Sequence, residues 1–550
     1  MKRHILLIIV ICYAMVTMGE MRVSSEEAKE VVTTYYQHVK QISKGECRIG
    51  EPESFTLLGK AEMWLVPVND SWILVSSDKR TEAILARFST KEKPDLKSYP
   101  RGAQYLISCF EYDIAYARDS CADCPINAQW KQLHKMISPT QQTKALPSYV
   151  EPLLGNLAWN QYGNESTNPD CNKVYNKYCP AISTINPDMC GHAVVGCVAV
   201  AIGQIMRYWE WPYMADIPTT IGGSIREKHF YEWSDMPSYL SNTSPIEHVN
   251  MTASFLRDCG YDLNMSYGES SGANNISAFN SFLHFGYDEE MLLYIEKNHT
   301  MGWTNKLYSE LSANRPVYYT GRNSDDEGHA FVLDGYDSAG LFHVNLGWGI
   351  GYNDYYNISS YTFSFYNSQA AICGIQPDAH SYCDPAIVTS PISNPYWGIV
   401  RAGNVTLDGV IMYSNANCRV YSSTEIRLST GTEIRNGSYV IFSIKEVPCS
   451  SFGDAMLSKS SDDTGLEKNS EIAYIEEVCS LTLSPNPAKD IVRVQSDCDL
   501  MSIELYTIDG HCVMRGSQTE LYISHLPTGI YFVRVQTTSG RIIQKKILHI

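Results

Sequence analysis

Behind Ser24, the run EEAKEVVTTYYQHVKQI repeats apolar positions at helical spacing and predicts a helix over residues 24–42 capped by the serine. Alternating stretches at 54–58, 61–68 and 72–76 read as strands, with a turn at Asn69-Asp70. Residues 83–88 and 104–117 return to a helical pattern. Together they form a small α+β unit over 20–145. Residues 138–147 (SPTQQTKALP), polar and flanked by prolines, read as an exposed linker.

Between 146 and 376 the pattern predicts helices at 197–208 and 305–313 and strands at 316–320, 330–333, 341–346 and 355–358. A helical first part followed by a strand-rich second part implies two packed lobes with a cleft between them. From 377 to 475 short alternating segments, such as 398–412 and 439–444, are broken by Gly, Asn, Ser and Thr, the pattern of a β-sandwich. Residues 480–550 repeat it with strands at 491–495, 501–506, 521–524 and 531–536, predicting a second sandwich. At the other end Lys2, Arg3 and His4 precede an apolar run, which reads as a signal peptide over 1–19. At about 14 residues the run is too short to span a bilayer, so the mature protein is expected to have no transmembrane segment.

Composition adds limits. A chain of 550 residues exceeds one hydrophobic core, and 44% hydrophobic with 19% charged residues describes folded material. A formal net charge of -17 argues against broad nucleic-acid binding. Export permits disulfides, and Cys171, Cys179 and Cys190 lie close enough in sequence for one or two bridges. Cys121-x-x-Cys124 reads as a structural disulfide or two free thiols.

The chemistry sits in the middle region. Residues 191–208 read GHAVVGCVAVAIGQIMRY, placing Cys197 behind a glycine at the start of a buried helix. Helix N-terminal N–H groups favour a thiolate there and can face a developing oxyanion. An inert core cysteine is the plain alternative. His329 follows Gly328 and leads an apolar strand 132 residues later, which suits a nucleophile on one lobe and a base on the other. In HVNLGWGIG (343–351), Asn345 is the candidate to orient the imidazole by hydrogen bond and Trp348 to cover it. Asp334 reads as an outward turn aspartate, and 325–327 as a solvated acidic loop. Cys190, His192 and Cys197 offer only a poor metal set, and no metal or cofactor is expected.

These residues resemble the streptopain family of papain-like cysteine peptidases. The matching pieces are Gly196-Cys197-Val198-Ala199 with Gln204-Ile205-Met206 and Trp211-Pro212, then Pro316-Val317-Tyr318-Tyr319, Gly328-His329-Ala330-Phe331-Val332 with Asp334-Gly335-Tyr336, and Phe342-His343-Val344-Asn345 with Gly347-Trp348-Gly349. The resemblance implies an α+β, papain-like two-lobed peptidase domain, preceded by an α+β propeptide and followed by the two β-sandwich modules. It puts the family's catalytic cysteine on Cys197, its histidine on His329 and its supporting tryptophan on Trp348, with the Cys197 N–H in the oxyanion hole. It also implies protein or peptide substrates, a hydrophobic preference one residue before the scissile one, and a propeptide acting as intramolecular inhibitor. Leu346 and Ile350 depart from the family's Trp-Gly-Trp-Gly-Gly run, which keeps a degenerate secreted binding protein or adhesin as the competing reading. Finally, Leu483-Ser484-Pro485-Asn486-Pro487-Ala488, Leu505-Tyr506-Thr507-Ile508-Asp509-Gly510 and Leu526-Pro527-Thr528-Gly529-Ile530-Tyr531 resemble the sorting domain of the type IX secretion system of Bacteroidetes. That implies secretion-machinery contact, periplasmic passage and a secreted or outer-membrane surface destination in a Gram-negative bacterium.

Overall fold

A computed structural model describes the chain from Met21 onward, except residues 39–46, 121–123, 138–148, 323–327, 359–368, 379–385, 445–480 and short stretches of one to four residues. The expected signal, the linker at 138–147 and the acidic run at 325–327 lie outside the described residues. The chain divides into two compact units, one drawn from 1–208, 237–253 and 302–371, the other from 209–236, 254–301 and 372–550.

The first unit holds the N-terminal segment 21–137, the leader. Its helix α1 (Ser25–His38) starts at a capping box: the Glu27 N–H donates to Ser24 Oγ at 3.2 Å, and the Ser24 N–H to Glu27 Oε2 at 2.9 Å. Val31, Val32 and Tyr35 on this helix pack with Val66, Ile73 and Trp130 in one apolar cluster. Strands β1 (Glu53–Phe55), β2 (Met63–Val68), β3 (Ser71–Ser76) and β4 (Ile84–Phe88) pair antiparallel, and α2 (Arg101–Ser120) and α3 (Ala128–Ile137) follow. The helix expected at 83–88 is therefore β4. Five residues are too few to sustain an isolated helix, whereas a strand there finds a ladder on each side.

The same unit contains α4 (Cys197–Trp209), α5 (Trp303–Ser312), β5 (Val317–Arg322), β6 (Gly328–Tyr336), β7 (Phe342–Asn345) and β8 (Asp354–Tyr356). The strands run β5-β6-β7-β8 and then continue into the leader as β4-β3-β2-β1. Tyr355 pairs with Arg87 and Tyr356 with Ala86, so the leader extends the sheet that carries the candidate histidine.

In the second unit, Tyr231, Trp233, Phe255 and Phe285 form an aromatic cluster. Beyond it the strands differ from expectation. Ala386–Val388, Val405–Leu407 and Ile426–Leu428 pair in parallel, as do Trp397–Arg401, Asn417–Ser422 and Tyr439–Ile444. Equivalent strands begin 19 to 22 residues apart, the repeat of a short parallel coil around Val405, Leu407, Val410, Met412, Cys418 and Val420. The sandwich expected over 377–475 is thus replaced in the described residues, because alternation reports a buried face and not the sense of pairing. Strands between Leu481 and His549 do pair antiparallel, in a three-stranded and a four-stranded sheet sharing Val492, Val494, Leu505 and Val533. No helix among the described residues is long and apolar enough to cross a membrane.

Candidate active site

Cys197 opens α4 directly behind Gly196, whose φ is 92°. The preceding backbone is tied down by the Val195 N–H, which donates to the Gln161 carbonyl at 2.7 Å. Burial raises the Cys197 thiol above its usual range, and the backbone N–H groups of Ala330, Val198 and Cys197 itself act against that rise. Two of these donors belong to the helix start. The third is the residue after His329, so strand β6 reaches the sulfur.

His329 is buried near the start of β6, opposite Gly321. Its Nε2 lies 3.1 Å from the Leu346 carbonyl. A carbonyl only accepts, so Nε2 carries the proton in the neutral ring and Nδ1 keeps its lone pair. Burial pushes the imidazole down to about 4, with the Leu346 carbonyl pulling the other way. Trp348 stacks on the imidazole, ring centroids 6.3 Å apart and planes at 24°.

Asn345 lies beside this arrangement and bonds elsewhere. Its Nδ2 donates to the Leu157 carbonyl at 2.6 Å, while its Oδ1 accepts from Gln204 Nε2 at 3.0 Å and the Gly347 N–H at 3.1 Å. Gln204 in turn accepts the Trp159 N–H at 3.1 Å. The orienting bond expected from Asn345 is made here by the Leu346 backbone. That explains how leucine serves at this position: the group holding the ring is a carbonyl that any residue supplies. Gly347 and Gly349, at φ 68° and 84°, need to be glycine, since a side chain at 347 would meet Val200 at 2.9 Å and one at 349 would collide with Glu165.

Several polar residues here went unassigned in the sequence. Gln204 sits seven residues after Cys197, two turns along the same helix face, and a buried glutamine in so apolar a run was its signal. Gln161 is buried with Nε2 lacking a partner among the described residues, and Glu165 lies against the Trp348 loop. No motif marked either. Asp334 is a correction: it is fully buried, accepts the Leu154 N–H at 3.1 Å and pairs with His343 Nδ1 at 2.6 Å. The strand continues through Tyr336, so the expected turn never forms. Cys171 and Cys190 are disulfide-bonded, which takes Cys190 out of any metal set, and Cys179 is buried.

Residues 170–356 match the peptidase C10 family, and residues 482–549 match the secretion system C-terminal sorting domain. Residues 170–356 constitute a peptidase C10 domain. The region carrying this C10 domain is similar to streptopain of Streptococcus pyogenes, 26% identical over 64% of this chain and 92% of streptopain. It is also similar to the thiol protease/hemagglutinin PrtT of Porphyromonas gingivalis, 27% identical over 70% of this chain. The chain spans about half of that relative, 46% of its length. A prointerpain A fragment of Prevotella intermedia aligns over 59% of this chain and 98% of its own at 23% identity, with a TM-score of 0.44.

Proposed function

We propose that the C10 domain is a cysteine endopeptidase that cleaves protein substrates through a thioester on Cys197. The His329 Nδ1 takes the thiol proton as sulfur attacks the carbonyl, then returns it to the leaving amine; water hydrolyses the thioester with the same group as base. The Cys197 N–H and the buried Gln161 Nε2, unpaired among the described residues, are the donors for the oxyanion. The observation that carries the reading is the Ala330 N–H directed at the sulfur while the adjacent His329 is held through Nε2. A hydrophobic preference one residue before the scissile one follows from the resemblance. The adhesin reading loses weight because Leu346 and Ile350 both act here through backbone groups.

The chain is made as a zymogen. The leader shares the sheet of the C10 domain and is tethered to it, which makes even a modest inhibitory contact effective. The sorting domain implies contact with secretion machinery and an extracellular or cell-surface destination.

A thiol-reactive peptide probe tests the activity: labelling at Cys197 with peptide hydrolysis supports it, and a folded, processed protein that never labels supports the binding protein. For maturation, a Cys197→Ala precursor treated with active enzyme should be cut within 138–147. Full activity of uncut precursor would rule out the zymogen.

A further inference from the structure

The segment from Trp159 to Glu165 touches both halves of the site. On one side the Gln161 carbonyl accepts the Val195 N–H just ahead of the nucleophile. On the other, the segment holds the loop bearing Trp348 at four points. The Gly349 N–H donates to the Trp159 carbonyl at 3.2 Å, and Asn160 Nδ2 reaches the Trp348 carbonyl at 3.5 Å. The Tyr162 ring meets the indole edge-on at 6.0 Å, and the Ile350 N–H donates to Glu165 Oε2 at 3.0 Å.

The indole needs such help. Its Nε1 is buried without a partner among the described residues, so no side-chain hydrogen bond fixes the ring. The loop also carries glycines at 347 and 349, both at positive φ, which leave it poorly constrained from within. Glu165 is well placed to supply the constraint. Its own N–H is bonded to the Leu240 carbonyl at 2.9 Å, and its Oε1 is packed against Gly349, buried and without a hydrogen-bond partner among the described residues. A partly buried carboxyl with one oxygen unpaired costs stability, and the dyad chemistry does not call for one here.

We propose that Glu165 is a positioning residue for the general base: by accepting the Ile350 N–H it clamps the Trp348 loop, so that the indole stays stacked over His329. The proposal rests on the peptidase reading. It gives the unpaired oxygen a meaning, because the acceptor is needed and the charge is not. Burial raises the Glu165 carboxyl, with the Ile350 N–H opposing, and the ionisable neighbour it affects is the buried Tyr175 hydroxyl.

The test compares kcat and KM of activated wild type, Glu165→Gln and Glu165→Leu, with Cys197→Ala as blank. Leucine keeps the volume and removes the acceptor, so kcat should fall roughly tenfold or more with KM within about twofold. Glutamine keeps the carbonyl acceptor and should restore kcat to within about twofold. Wild-type kcat in the leucine variant, a glutamine variant as poor as leucine, or a loss confined to KM would overturn the clamp. If the leucine variant does not fold, amide exchange at Ile350 in the wild type decides: protection supports the clamp and exchange at the solvent rate overturns it. A wild type that neither cleaves nor labels would speak against the peptidase reading, and the same exchange measurement would then judge the clamp.

Discussion

His329 is buried and His343 partly buried on adjacent strands, β6 and β7, yet their environments push them in opposite directions. His329 faces a carbonyl, and burial drives it down to about 4. Burial also works against His343, but Asp334 at 2.6 Å, with Asp354 beyond, outweighs it and the ring is raised. The partner's charge, not the depth of burial, sets the sign. The same contrast extends outward. Around the active site the network is neutral, linking Asn345, Gln204 and the backbone of Leu157 and Trp159. Around His343, where leader meets C10 domain, it is charged: Asp354 accepts the Ser89 N–H and hydroxyl, Asp337 accepts the Tyr35 hydroxyl, and Arg87 lies 3.8 Å from Asp337 and over the Tyr355 ring. A neutral network fixes geometry with little response to pH; a charged one binds the leader and answers to protons.

The largest expected effect breaks the chemistry and spares the fold. Cys197→Ala should abolish hydrolysis with a near wild-type melting profile, since the thiol contributes little volume and is the group proposed to form the thioester. Substantial activity in the purified variant would remove Cys197 from its role. Next, Trp348→Ala should lower activity by roughly 10²-fold through a misplaced base. Leu346→Ala should cost far less, because its backbone carbonyl remains. Rates measured on folded protein would contradict this account if the leucine proved the more sensitive position.

A smaller effect sharpens the comparison of the two histidines. His329, lowered in the fold, contributes stability that is present above pH 6.5 and is lost as pH falls towards about 4. His343, raised in the fold, contributes stability that is present below pH 6.5 and is lost as pH climbs through its raised value. Thermal melts of Cys197→Ala protein from pH 4 to 8.5 should therefore bend in opposite senses on the two sides. Adding His343→Gln should flatten the alkaline side alone; an unchanged slope there would show that Asp334 does not control the ring.

The sequence by itself determined the helix that starts at Cys197, the strand that carries His329, the glycines that admit the Trp348 loop and the places of the strands near the C-terminus. Each is local: a periodicity, a chain-stiffness constraint or a residue type with one chemical use. Tertiary structure decided the rest. Residues 83–88 became a strand because β3 and β8 offer ladders on both sides. Asp334 turned inward because His343 lies beside it, and the region after 377 coiled in parallel although its alternation was compatible with a sandwich. Asn345 was legible as a polar residue near the candidate histidine, yet which atoms it bonds was settled by Leu157, Gln204 and Gly347, the first two distant in sequence. Periodicity states which face of a segment is buried. It carries no information about what lies on the other side, and hydrogen-bond partners, strand sense and the sign of a histidine's shift all depend on that.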